Sequence, residues 1–130
     1  MASELTKILC VEDEADIRAV ARVALETVGQ FQVTMCSSGQ EALDTLPDFA
    51  PQLVLLDVMM PGMDGPTTYQ EIRKLDGYSE VPIIFMTAKV MESDREQYIA
   101  LGASGIIAKP FDPMVLSDQI RQIWDEFHDG

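Results

Sequence analysis

Glu12 and Asp13, Asp57, Thr87 and Lys109 each stand directly after a short apolar run, at residues 8–11, 53–56, 81–86 and 106–108. Singly, each has an ordinary explanation: Asp13 caps a helix, Asp57 serves its loop, Lys109 is a solvated strand end. Together they could do chemistry. Three carboxylates packed without counter-charge repel one another, and a hard divalent cation with oxygen ligands relieves that repulsion. Magnesium suits the role, because it keeps several waters and leaves coordination positions for phosphate oxygens. In such a setting Asp57 can act as a nucleophile and form an acyl phosphate. Lys109 and the metal would neutralise the transferring phosphoryl oxygens, and the Thr87 hydroxyl can donate a hydrogen bond to one of them.

The elements that must bring these residues together alternate five times between short apolar runs and helical patterns, the sign of a parallel sheet with crossover helices. The first strand reads Lys7–Val11; Ile17, Val20, Ala21, Ala24, Leu25 and Val28 then follow helical spacing, with Gly29 placed to end the helix. A second strand spans 31–36, and Ser38 with Glu41 forms a capping box for a helix that Pro47 should stop. The continuous branched run 53–56 reads as a central strand buried on both faces, followed by a loop with Pro61, Gly62 and Gly65 and a helix starting at Pro66. A fourth strand over 81–86 precedes a second capping box, Ser93 with Glu96, whose helix Gly102 terminates. The last strand, 106–108, leads to a helix opened by Asp112 and Pro113, with Leu116, Ile120, Ile123, Trp124 and Phe127 as its apolar face. These readings make one α/β (βα)5 unit over residues 1–130. An open sheet of this kind binds ligands outside the carboxyl ends of its strands, where the five polar positions fall.

The pair Glu12-Asp13, Asp57 with the Met-Pro-Gly-Met-Asp-Gly segment at 60–65, Thr87-Ala88 and Lys109-Pro110-Phe111 together resemble the signature of the CheY-like response regulator receiver family of two-component signalling. The resemblance covers nearly the whole chain. It implies a doubly wound, flavodoxin-like sheet of order 2-1-3-4-5. It further implies Mg2+ held by Glu12 or Asp13, Asp57 and the Met59 backbone carbonyl, and a cis peptide before Pro110. The phosphoryl donor would be a histidine kinase or a histidine phosphotransfer protein. Thr87, Ala88, Lys89 and Ile106 fall at switch or modulating positions. Where the family commonly has an aromatic residue on the last strand, this chain has Ile106, so phosphate sensing is left to the Thr87 hydroxyl. Met59 and Lys89 would flank the path of hydrolytic water, and a thioether at 59 cannot orient that water as an amide would. The resemblance also places an output surface on the fourth helix, last strand and final helix, around Met91, Tyr98, Ile106 and Met114. Phosphorylation of Asp57 could drive binding of a downstream protein, or dimerisation, through that surface.

Two other classes share parts of this pattern. A haloacid-dehalogenase-like phosphatase needs a second carboxylate two residues after the nucleophile, where Met59 stands, so turnover of external phosphoesters is not expected. Self-phosphorylation and self-dephosphorylation are the expected limit of its catalysis. A flavodoxin-like FMN module needs a hydroxyl- and glycine-rich phosphate loop after the first strand, where Glu12, Asp13 and Glu14 would repel phosphate. Within the receiver class, both a stand-alone regulator and a receiver from a hybrid kinase fit. The net charge of -13, from 22 acidic and 9 basic residues, opposes direct contact with nucleic acid or an anionic membrane. No apolar run approaches the roughly 20 residues of a membrane span, and a cytoplasmic location is expected. Cys10 and Cys36 read as reduced core thiols, and His128, the one histidine, as a solvated tail residue.

Overall fold

In the computed structural model, which describes residues 4–88 and 91–129 and the side chains of 4–88 and 91–127, five strands form one parallel sheet of order β2-β1-β3-β4-β5. They are β1 (Lys7–Val11), β2 (Gln32–Cys36), β3 (Leu53–Asp57), β4 (Ile83–Thr87) and β5 (Gly105–Ala108). The helices between and after them are α1 (Ala15–Arg22, continued as a π-helical stretch over Val23–Val28), α2 (Gly39–Phe49), α3 (Gly65–Arg73), α4 (Glu92–Leu101) and α5 (Leu116–Asp129).

Side-chain alternation along the central strands builds two cores. Ile8, Cys10, Leu53, Leu55, Ile84 and Met86 point to one face, where Ala21, Leu25, Leu116, Ile120 and Trp124 of α1 and α5 cover them. Leu9, Val11, Val54, Leu56, Ile83 and Phe85 point to the other, under Leu46, Ile72 and Tyr98 of α2, α3 and α4. A strand buried on both faces has no polar position to spare, which explains the unbroken apolar runs. Both cysteines lie in these cores as free thiols; burial raises both, Cys36 to about 11.

Several helix ends differ from the sequence reading. Gly29 does not take the left-handed conformation; its φ is -84, and Gln30 has φ 61 instead. Glycine is needed at 29 for space, since a Cβ there would lie 2.1 Å from the Ser117 hydroxyl of α5. Pro47 does not stop α2, which runs on to Phe49 and ends at Ala50 with φ 52. In the last turn the proline forgoes only one intrahelical bond. Ser38 accepts from the Glu41 amide at 3.1 Å, but the Glu41 carboxylate returns to the Ser37 amide, one residue before the expected donor. The Ser93–Glu96 box does not open α4, whose first flanking residue is Met91, without a side-chain cap. Asp64 caps α3, accepting from the Thr67 amide at 2.9 Å. α5 begins at Leu116 rather than at Pro113; Asp112 accepts from the Met114 amide at 2.9 Å in the turn that precedes it.

Candidate functional site

Parallel register carries the five polar positions to one edge of the sheet. Val11 pairs with Cys36 and Leu56, Asp57 with Met86, and Thr87 with Ala108, so the residues that follow these pairs emerge side by side. Glu12 and Asp57 are buried almost completely, at 0% and 1% exposure, and Thr87 is buried beside them. The Lys109 ammonium donates to Glu12 Oε1 at 2.7 Å and to Asp57 Oδ1 at 3.0 Å.

That single cation does not satisfy the cluster. Glu12, Asp13 and Asp57 each offer a carboxylate oxygen within 4.8 Å of the others'. Asp13 Oδ1 and Asp57 Oδ2 are buried without a hydrogen-bond partner, an expensive state for charged oxygens. Burial, and after it the charge of Glu12, pushes the Asp57 carboxyl up to about 7 although Lys109 works in the opposite direction. For Lys109, burial opposes the charge, but the bonds to Glu12 and Asp57 prevail and raise it above its ordinary value. The donor set is all oxygen, anionic and part-empty. It fits a hard divalent cation.

The surrounding loops hold this arrangement. Gly65, at the start of α3, donates to the Val58 carbonyl at 2.9 Å, and a Cβ there would sit 2.6 Å from the Asp57 carbonyl oxygen. The glycine lets the β3–α3 loop close over the acceptor strand. Met59 lies in that loop and is 64% exposed. Ala88 is exposed directly after β4, and Lys89 lies outside the described residues. Ile106 is half-buried, paired in register with Phe85 and packed against the core beneath α2, α3 and α4. The Lys109–Pro110 peptide is cis.

Sequence reasoning missed Arg18. From α1 its Nη1 donates to the Glu12 carbonyl at 2.8 Å and the Asp13 carbonyl at 2.9 Å. Nothing in the spacing marks it, since an arginine on the polar side of an amphipathic helix is ordinary.

Comparison with known proteins agrees with this geometry. The model of the response regulator receiver domain matches residues 8–121. A "probable transcriptional regulator ycf27" of Guillardia theta is 44% identical over 117 residues, covering 90% of this chain and 44% of that protein. "Response regulator Rre1" of a Synechocystis species is 35% identical over 121 residues, covering 93% of this chain and 52% of that protein. Among solved structures, chemotaxis protein CheY4 of Vibrio cholerae superposes with a TM-score of 0.84 at 28% identity, covering 92% of this chain and 99% of that one. The chain is a two-component receiver domain and belongs to the response regulator receiver family. It spans about half the length of the curated relatives it matches.

Proposed function

We propose that Asp57 accepts a phosphoryl group from a histidine kinase or a histidine phosphotransfer protein, with Mg2+ held by Glu12, Asp13, Asp57 and the Met59 carbonyl. The observation that carries this reading is the buried, unpartnered pair Asp13 Oδ1 and Asp57 Oδ2, beside a lysine already fixed on the other Asp57 oxygen. When bound, the magnesium ion offsets negative charge on the carboxylates and the incoming phosphoryl group. An Asp57 oxygen forms the new bond to phosphorus as the phosphorus–nitrogen bond of the donor histidine breaks, and the electron pair leaves with the imidazole nitrogen. Lys109 holds positive charge where the phosphoryl oxygens arrive, and the Thr87 hydroxyl donates to one of them. Next to the site, Ile17, Val20, Pro110 and Phe111 line an apolar groove, which suits docking of a protein donor.

The catalysis is confined to its own aspartate, and no external substrate is turned over. Signalling then passes through a surface that depends on phosphorylation, to a downstream protein or a second copy of the chain. Relatives named as transcriptional regulators support an output on transcription. The expectation that nucleic acid is no partner draws no support from them, and rests on the repulsion between a net charge of -13 and a phosphate backbone. Membership of the receiver family supports action in the cytoplasm, and among the described residues no helix is long and apolar enough to cross a membrane.

Incubation with acetyl phosphate and Mg2+, followed by mass spectrometry of the intact chain, tests the reading. One phosphoryl group is expected on the parent, none on Asp57→Asn and none in excess EDTA. Undiminished labelling of Asp57→Asn would overturn it.

A further inference from the structure

The turn between β1 and α1 carries two of the three carboxylates, yet the start of α1 does little to fix it. Glu14 flanks the helix without a side-chain cap bond. Glu12 is held from several sides: its amide donates to the Cys36 carbonyl at 2.9 Å, and its carboxylate receives the Glu14 amide at 3.1 Å and the Lys109 ammonium at 2.7 Å. Asp13 has no comparable hold on its carboxylate, whose Oδ1 is buried without a partner. The backbone on either side of the Asp13 Cα therefore sets the point and direction from which that carboxylate starts.

Arg18 grips that backbone. Its Nη1 donates to the Glu12 carbonyl at 2.8 Å and to the Asp13 carbonyl at 2.9 Å. These carbonyls belong to the two peptide units that flank the Asp13 Cα, and each unit is planar. Holding both planes fixes the two backbone dihedrals of Asp13, and with them the direction of its Cα–Cβ bond, from which the side chain reaches the cluster. The guanidinium is permanently charged, which strengthens both bonds. Among the described residues Arg18 forms no ion pair, so its charge does not occupy the carboxylate oxygens that a cation needs.

From this geometry we infer that Arg18 is a positioning residue of the metal site, acting through the Asp13 backbone to aim the Asp13 carboxylate at the cation. The inference rests on the reading of the acidic cluster as a Mg2+ site. Residues that orient a metal ligand without touching the metal commonly contribute 10- to 100-fold in affinity, so Arg18→Met, which keeps the apolar stem and loses the donor, should weaken Mg2+ binding about tenfold. Arg18→Lys keeps the charge as a compact ammonium and should recover only part of the loss.

Calorimetric titration of MgCl2 into the unphosphorylated protein, with thermal unfolding recorded in parallel without metal, distinguishes the alternatives. If Arg18 acts through Asp13, Arg18→Met should change affinity by less than about threefold in an Asp13→Asn background, because the two changes remove one interaction. Arg18→Met binding Mg2+ within about twofold of the parent would overturn the inference, even if its Tm falls, because the bond would then serve only the fold. An equal loss with and without Asp13 would also overturn it. If the parent itself binds no Mg2+, the metal-site reading fails and this inference with it. Parent binding with unaltered variants removes the role of Arg18 alone.

Discussion

Asp57 competes for a cation and for a proton with the same two oxygens, and its burial sets the terms of that competition. With its carboxyl raised to about 7, chiefly by burial and then by Glu12, the folded protein holds a proton there that the unfolded chain releases near the ordinary 3.8. Between those values the native state binds more protons than the unfolded one, so stability falls as pH rises through the window. In the absence of metal, the Tm should therefore decline between about pH 4 and about pH 7, and Asp57→Asn should flatten the decline. A slope of the same size in Asp57→Asn would assign the titration to another group. Saturating Mg2+ should flatten it too, because a bound cation favours the ionised carboxylate that the apo site penalises. At this scale the sequence was a guide to placement, since Glu12, Asp13, Asp57, Thr87 and Lys109 all lie at one edge of the sheet. It could not show which oxygens lack partners, because that depends on Lys109 reaching across 52 positions to choose Asp57 Oδ1. Nor could it show Arg18, whose donors face main-chain carbonyls that have no sequence signature.

Among the elements, strand identities follow from apolar runs, whereas helix ends are decided by tertiary contact. Gly29 illustrates the difference. A glycine after a helical pattern suggests a left-handed stop, but here α5 passes so close that Ser117 donates its hydroxyl to the Ala24 carbonyl at 2.9 Å. The Gly29 amide bonds that same carbonyl, five residues earlier, at 3.0 Å. The widened turn and the serine share one acceptor, and no side chain fits between them. Gly29→Ala should destabilise the protein by about 1–3 kcal/mol in denaturant unfolding, the usual cost of overpacking. Ser117→Ala should relieve part of that loss in the double variant, because it removes the nearest clashing atom at 2.1 Å. Strictly additive losses would show that the two helices do not meet through these residues. Pro47 and the unused Ser93–Glu96 pair have the same lesson. A breaker in the last turn sacrifices one bond while the α2 face stays buried through Leu46, and a box forms only where the chain approaches the helix at the angle it needs.

Over the whole molecule, the two sides of the sheet are held with unequal strength. α5 is anchored by Leu116, Ile120 and Trp124, all buried, whereas α4 buries only Tyr98. Tyr98 was expected to contribute to the output surface, but it packs edge-on against Phe85 with ring centroids 5.3 Å apart, and Phe85 in turn meets Tyr69 at 5.8 Å. Ile106 likewise serves the core more than the surface. Of the expected surface residues Met91 and Met114 are exposed, at 73% and 68%, and Ile99 and Val115 add apolar area at 53% and 42% exposure. A helix held by one buried side chain, with only the partly buried Leu101 beside it, opens at lower free energy than its neighbours, as elements that move in signalling do. β4 connects that helix to the site directly, since Phe85 lies two residues before Thr87 on the same strand. Beryllofluoride, a mimic of the phosphoryl group, should therefore alter amide hydrogen exchange along α4 and around Met114, while α2 on the far side of β3 stays unchanged. If exchange changes only in the loops around Asp57, β4 does not carry the signal to α4, and the output surface lies elsewhere.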